Sequence, residues 1–474
     1  MNCTPEQQAI IDHIKSDTAD NALTLVSSVA GSGKTSLLVE ISKQLNPSSA
    51  LYLAYTKAVA TEAKTKFPSS VTCCTTHSLA YRPTVVDRNI KLGMFNYRSI
   101  QKVKRYDQKV AILEYIKQFC LSRFTSFEQF AEEYEIPRVI ADHCVRHLNL
   151  MMEGDIEASH DFYLKYFHLL LASGDLEYDE LDLLMLDEAG DLNEVTLEIF
   201  KLLPAKKKIL VGDAMQNIFA FNHTINCFDV MKNQGTLFTM TQSFRVSKQI
   251  AASIQAFANA NIDPTMQFLG VDSPTPKTPT TAFISRTNAG LISQLMVLNR
   301  HRTPYTLVRA ADTIFKPILS IMKLTFKGFI GDPSFKHLQQ DVDEYFLDDE
   351  LKAQFRTPLM YLKHLHEDDI SLQNAIALIQ RYGAEDITSC YNEAKSHEKT
   401  KTNYLVGTAH SFKGLEADFV SLADDMNHAL SKIFDQLPDN FCPQALPQEM
   451  KSEIYLYYVA CSRARHRLYN AEHL

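Results

Sequence analysis

Short apolar runs alternate with helical spacing along the first part of the chain. Leu23-Thr24-Leu25-Val26-Ser27 predicts a buried strand, followed by a loop and a helix over about 35–45. Residues 50–54, 71–74, 183–186, 209–211 and 237–240 continue the strand set. Strands alternating with helices build a parallel sheet covered on both faces. From 82 to about 165 that rhythm breaks. There Ile112, Tyr115, Ile116 and Phe119 follow the spacing of one helix face, and a mainly helical insertion is expected. A second strand set occupies 282–285, 305–308, 404–408 and 419–422. It is interrupted by a charged, helix-patterned stretch at 326–402, in which Ala375, Leu378, Ile379 and Tyr382 share one face. The expectation is an α/β protein with two sheet domains, each carrying an inserted, mainly helical subdomain. The boundaries are 1–86 with 166–246 for the first sheet domain and 87–165 for its insertion. They are 247–325 with 403–474 for the second and 326–402 for its smaller insertion.

Composition acts mainly by exclusion. A length of 474 residues fits two to four domains, and 45% hydrophobic with 22% charged residues is ordinary for packed cores. Lys plus Arg is 48 against 56 Asp plus Glu, a net charge of −8. That excludes a histone-like blanket cation but leaves room for a local basic groove. No apolar stretch of about 18 residues occurs, so no membrane span is expected. The polar N-terminus lacks the apolar core of a signal peptide. The nine cysteines are scattered without a C-x-x-C pair, so neither a disulfide framework nor a zinc site is expected, and a cytoplasmic location fits.

The chemistry concentrates at strand ends. Ser28-Val29-Ala30-Gly31-Ser32-Gly33-Lys34-Thr35 follows a strand and opens a helix, the context of a phosphate-binding loop. Gly31, Ser32 and Gly33 let backbone N–H groups close around phosphates, and the helix N-terminus adds its positive end. Lys34 is expected on the β- and γ-phosphates and Thr35 on Mg²⁺. The run Leu183-Leu184-Met185-Leu186 ends in Asp187-Glu188. Asp187 is expected to bind Mg²⁺ and Glu188 to orient and deprotonate the attacking water. A third strand ends in Gly212-Asp213-Ala214-Met215-Gln216, where Gln216 is a candidate γ-phosphate sensor. The lysines at 206–208 and the basic cluster at 102–105 read as solvated surface.

Together these residues resemble the UvrD/Rep-type superfamily 1 helicases, from Gln7 to the end of the chain. Thr4-Pro5-Glu6-Gln7 is similar to the Q motif, whose Gln reads adenine. Ala54-Tyr55-Thr56-Lys57 and Thr75-Thr76-His77 are similar to motif Ia and the T-x-H element after it. Asp187-Glu188-Ala189-Gly190 and the segment ending at Gln216 resemble motifs II and III. Gln242-Ser243-Phe244-Arg245 resembles motif IV. Thr408-Ala409-His410-Ser411-Phe412-Lys413-Gly414-Leu415-Glu416 resembles motif V, and Tyr458-Val459-Ala460-Cys461-Ser462-Arg463-Ala464 motif VI. The wording around them, including Lys66-Phe67-Pro68 and the run from Thr76 to Tyr81, is most similar to the helicase part of the F-box DNA helicases. With the Q motif at the N-terminus, no preceding F-box is expected.

The resemblance implies two RecA-like P-loop motor domains, ATP and Mg²⁺ as cofactors, and single-stranded DNA with single-strand/duplex junctions as the partner. It implies Gln7, Phe244 and Glu416 on the nucleotide and Arg245 and Arg463 on the γ-phosphate. DNA contacts are implied for Tyr55, Thr56, Lys57, Thr76, His77 and His410. Phe219 and Phe221, just after motif III, are suited to stacking on bases, and Lys64 and Lys66 to the backbone path. A strand-separating β-hairpin is implied between motifs V and VI, within 426–447. The activity implied is ATP-dependent, 3′ to 5′ DNA unwinding. The alternatives are a translocase that strips proteins from DNA, or a slow-hydrolysing ATP switch. Gly190 stands where the family has Gln, and Asn222 where it has Arg. A Gly190→Gln change is expected to be tolerated unless Gly190 has a positive φ.

Overall fold

The computed structural model describes residues 3–19, 21–218, 224–325, 370–438 and 441–474. The chain forms two compact units, Met1–Phe244 and Arg245–Leu474. Each is built around its own parallel sheet, so the fold is α/β with two RecA-like sheets, as expected.

The first sheet uses β1 (Ala22–Ser28), β2 (Ala50–Ala54), β3 (Val71–Thr75), β4 (Leu181–Leu186), β6 (Ala205–Gly212) and β8 (Thr236–Met240) in the order β3-β2-β4-β6-β1-β8. The two-residue strands β5 (Leu192–Asn193) and β7 (Thr224–Ile225) pair separately. Successive strand residues point to opposite faces, and the sequence fills both. Val26, Tyr52, Met185 and Ile209 pack on one face with Ile10, Leu37 and Ile41. Leu25, Leu53, Leu184 and Leu210 pack on the other with Phe167 and Phe200. Each such buried side chain contributes roughly 1.5–3 kcal/mol over leaving it in water. The first face takes α1 (Pro5–Ser16) and α2 (Lys34–Leu45), while α3 (Lys57–Lys66) packs with β2 and β3.

Between β3 and β4 the chain makes α4 (Thr76–Tyr81), α5 (Tyr106–Leu121), α6 (Phe127–Glu133), α7 (Arg138–Met152) and α8 (His160–Ser173). Ile112, Ile116 and Phe119 face a helical core with Phe130, Cys144 and Phe162. Residue 165, the expected end of the insertion, falls inside α8. That helix gives Phe162 to the helical core but Tyr163, Leu164 and Phe167 to the sheet core.

Buried and half-buried lysines here satisfy helix C-termini. Lys165 Nζ donates to Ser122 O at 2.9 Å and to Phe124 O, just past α5, and burial lowers its amine to about 8. Lys207 Nζ donates to Ile14 O and Asp17 O at the end of α1. Lys208 Nζ donates to Lys201 O at 2.6 Å in α9 (Glu194–Leu202), and Lys206 pairs with Asp182 at 2.7 Å. The solvated reading holds for Lys206, which is exposed, and is corrected for Lys207 and Lys208. Last-turn carbonyls of a helix need donors, and a cation also suits the negative end of its dipole.

The second sheet has the order β10-β11-β9-β12-β13, all parallel. Its strands are β9 (Thr281–Ser285), β10 (Thr306–Leu307), β11 (Tyr404–Thr408), β12 (Ala417–Leu422) and β13 (Ala464–Tyr469). Edge strand β13 was not expected, because its polar alternation through Arg465 and Arg467 shows no apolar run. Two helical stretches lie within Ile370–His397, broken at Gly383 with φ 77°; the first buries Ala375, Leu378 and Ile379, with Tyr382 packed alongside, against Leu291, Phe315 and Val406. That described part of the expected second insertion thus shares the core of the second sheet. Residues 326–369 lie outside the described residues.

Candidate nucleotide site and nucleic-acid face

The phosphate loop is held open by backbone geometry. Gly31 and Gly33 have φ of 74° and 84°, a left-handed conformation that glycine adopts without steric cost. Gly33 caps α2 without any side-chain hydrogen bond, so the helix starts with Lys34 and Thr35 and a row of N–H groups. Ser28, in place of the usual first glycine, donates through Oγ to Gly212 O at 2.9 Å and ties the loop to β6. A side chain at Gly33 would meet Gln7 Nε2 at 3.3 Å and the Phe244 ring at 4.0 Å, so those two groups converge there. Gln7 closes a capping box on α1: its Oε1 accepts from Thr4 N, and Thr4 Oγ1 accepts from Gln7 N, both at 3.1 Å. Phe244 is 49% exposed, yet its N–H donates to Gly31 O at 2.9 Å. A projecting ring on a pinned backbone suits stacking against a flat base.

Thr35 Oγ1 donates to Asp187 Oδ2 at 3.3 Å. A hydroxyl and a carboxylate oxygen are the hard donors that Mg²⁺ takes beside phosphate and water oxygens, so these two residues fit that ion. Asp187 is buried at the end of β4, and its Oδ2 also accepts from Tyr52 OH at 2.8 Å. Burial and the neighbouring Glu188 push the Asp187 carboxyl up, while Lys34 and the Tyr52 hydroxyl pull it down. Burial, and then Asp187 itself, push the Tyr52 hydroxyl far up, so it stays a donor. Glu188 has φ 58° and ψ 41°, a left-handed conformation that costs a non-glycine residue about 1–2 kcal/mol.

Motifs II and III touch through two glycines. A Cβ on Gly190 would lie 2.1 Å from Asp213 O, and one on Gly212 would lie 2.6 Å from Ala189 N. Gly190 does not have the positive φ considered above; what excludes a side chain is the Asp213 carbonyl. The expectation that Gly190→Gln is tolerated is corrected accordingly. Gln216 Nε2 donates to Asp213 Oδ2 at 2.7 Å within its own segment, and Ile218 N donates to Asp191 Oδ1 at 3.3 Å, which ties the two segments together.

Beyond the carboxylates a cavity of about 450 Å³ opens, lined by Asp187 and Asp191 and by Tyr55, Thr76, His77 and Lys117. Tyr55 is 44% exposed, and Thr56 caps α3 by accepting from Val59 N at 3.3 Å, so Lys57 opens that helix. Thr76 is buried, and His77 shares a 3.1 Å hydrogen bond through Nδ1 with Tyr163 OH of α8. Burial lowers the His77 imidazole, which keeps it neutral near pH 7. Lys66 pairs with Glu62 at 2.6 Å. Phe219, Phe221 and Asn222 lie outside the described residues.

The remaining candidates belong to the second unit. Glu416 accepts from Arg245 Nε at 2.5 Å and stands 3.4 Å from Arg465 Nη1. Arg463 is 1% exposed; it donates to Val459 O at 2.9 Å, to Leu415 O at 3.4 Å and to Ser462 Oγ at 3.0 Å. His410 lies in the turn after β11, whose backbone ends at Gly414 with φ 82°. Where a β-hairpin was expected, the chain forms the helix Asp424–Phe434 and a 3-10 turn at Pro443–Ala445. Among the described residues no strand lies between β12 and β13, so the hairpin expectation is corrected; residues 439–440 are outside them. Sequence reasoning missed Tyr52, which sits inside an apolar run, and Asp213, whose role needs a neighbour three residues away to be in place.

Residues 8–222 match the AAA domain family. The chain is similar to F-box DNA helicase 1 of Gallus gallus, 25% identical over 522 aligned residues that cover 98% of this chain and 48% of that protein. It is also similar to F-box DNA helicase protein 1 of Schizosaccharomyces pombe, 23% identical over 499 aligned residues covering 94% of this chain and 55% of that protein. The resemblance to the F-box DNA helicases therefore extends over nearly the whole chain, which spans about half the length of these curated relatives. Among the described residues no helix is long and apolar enough to cross a membrane.

Proposed function

We propose that this chain is an ATP-dependent DNA helicase that moves 3′ to 5′ along single-stranded DNA and opens duplex at single-strand/duplex junctions. One observation carries the reading. The cavity that reaches Asp187 is the same cavity that Tyr55, Thr76 and His77 line, so hydrolysis chemistry and a strand-gripping face share one space. Lys34 and the N–H groups opening α2 hold the phosphates, Gln7 reads adenine and Phe244 stacks on it. Thr35 and Asp187 hold magnesium, which when bound neutralises charge shared by the β- and γ-phosphates. Glu188 orients and deprotonates the attacking water, Gln216 reports the γ-phosphate, and Arg245 and Arg463 stabilise charge on the transferred phosphoryl oxygens. Tyr55, Thr56, Lys57, Thr76, His77 and His410 grip DNA through stacking and phosphate contacts, without reading sequence. The names of the relatives, both F-box DNA helicases, support the reading.

The test is ATPase rate with and without single-stranded DNA, followed by unwinding of duplexes with a 3′ or a 5′ tail. Strong stimulation and unwinding from the 3′ tail are expected. An ATPase indifferent to DNA would replace this reading with the slow ATP switch, and stimulation without unwinding would favour the protein-stripping translocase.

A further inference from the structure

Tyr52 is fully buried on β2, a strand whose apolar run gives no hint of chemistry. Its register partner on β4 is Met185. Residues two apart on a strand share a face, so Met185 and Asp187 lie on the side of the sheet where Tyr52 packs. A tyrosine ring running along that face reaches the carboxylate two positions on, and Tyr52 OH donates to Asp187 Oδ2 at 2.8 Å. The same oxygen accepts from Thr35 Oγ1 at 3.3 Å. Asp187 is fixed from other directions as well. Its N–H donates to Leu53 O at 3.1 Å, and its Oδ1 accepts from Glu188 N at 2.8 Å. The ring is clamped against Phe67, with centroids 4.7 Å apart. A short, buried hydrogen bond from a clamped ring leaves the carboxylate one orientation.

We propose that Tyr52 is a positioning residue for the metal carboxylate: its hydroxyl holds Asp187 Oδ2 beside Thr35 so that a divalent cation meets a pre-set pair of oxygens. The inference rests on the ATP–magnesium reading above. Partners that orient a ligating group typically change metal affinity 10–100-fold when removed. Tyr52 is fully buried and acts through Asp187.

The experiment is Mn²⁺ binding to the full chain with a non-hydrolysable ATP analogue, read by electron paramagnetic resonance, beside thermal melting. Tyr52→Phe keeps the ring and removes only the hydroxyl. It is expected to weaken Mn²⁺ about tenfold while melting close to the parent. Phe67→Leu loosens the ring packing and keeps the hydroxyl; it is expected to lower the melting temperature and to weaken Mn²⁺ by much less than Tyr52→Phe does. Unchanged Mn²⁺ binding by Tyr52→Phe overturns the proposal, as does a Phe67→Leu that loses affinity equally. A Tyr52→Phe that fails to fold overturns it too, since the hydroxyl would then be a structural requirement. If the parent binds no Mn²⁺ with nucleotide, the nucleotide reading itself falls.

Discussion

Each of the two sheets sends a strand through a short turn into a helix, and the two turns are finished in opposite ways. In the first unit β1 passes through Gly31 and Gly33 into α2, whose N-terminus carries no side-chain cap. In the second, β9 passes through Arg286 and Thr287 into the helix Asn288–Arg300. There Thr287 Oγ1 accepts from Gly290 N at 3.0 Å, and the Asp425 carboxylate accepts from Arg286 N at 2.9 Å and Thr287 N at 3.0 Å. A Cβ on Gly290 would lie 2.3 Å from Asp425 Oδ2, so that carboxylate sits against the helix start. A helix N-terminus attracts negative charge. The second unit supplies that charge from its own chain, whereas the first starts its helix without a side-chain cap. Related sheets thus divide into one whose turn is proposed above to take phosphate and one whose equivalent turn is filled by its own carboxylate.

The largest expected effect breaks the comparison at the open turn. Lys34→Ala should abolish ATP hydrolysis and unwinding, because Lys34 supplies charge to phosphates and no core packing; its melting temperature should stay near the parent's. Near-normal hydrolysis would mean that phosphates bind elsewhere. Next, Arg463→Ala should lower turnover at saturating ATP by about 10³ with ATP affinity within about tenfold. Because Arg463 is also bonded to Val459 O and Leu415 O, its loss should lower melting as well. Unchanged turnover with weakened binding would reduce it to a ground-state ligand. A smaller effect is expected at the contact that steadies the open side. Gly190→Gln should destabilise the protein by about 1–3 kcal/mol, because its Cβ would lie 2.1 Å from Asp213 O. A Gly190→Gln protein that melts like the parent would refute that close approach. Smallest of all, Asp425→Asn removes the filling charge from the closed turn. A loss of about 1 kcal/mol in chemical denaturation with unaltered DNA-stimulated ATPase is expected; altered ATPase would show that the second turn has a part in catalysis.

The open turn was legible in the chain because its parts are consecutive: a strand run, two glycines, Lys34, Thr35 and a helix. The same holds for the apolar run into Asp187 and Glu188. The filled turn was not legible, since Asp425 follows Thr287 by more than a hundred positions and looks like any acid beginning a helix. Edge strand β13 stayed hidden because half of an edge faces water and its pattern is polar.

The sequence by itself determined the parallel sheets, through apolar runs buried on two faces, and the chemistry of loops whose residues are neighbours in the chain. Tertiary structure alone decided the contacts that close across strands. It placed Tyr52 against Asp187, set Asp213 O where a Gly190 side chain would be, and turned Lys165, Lys207 and Lys208 onto helix ends. The physical reason is that burial forces each polar group to find a partner, and that partner is set by proximity in the packed fold rather than along the chain.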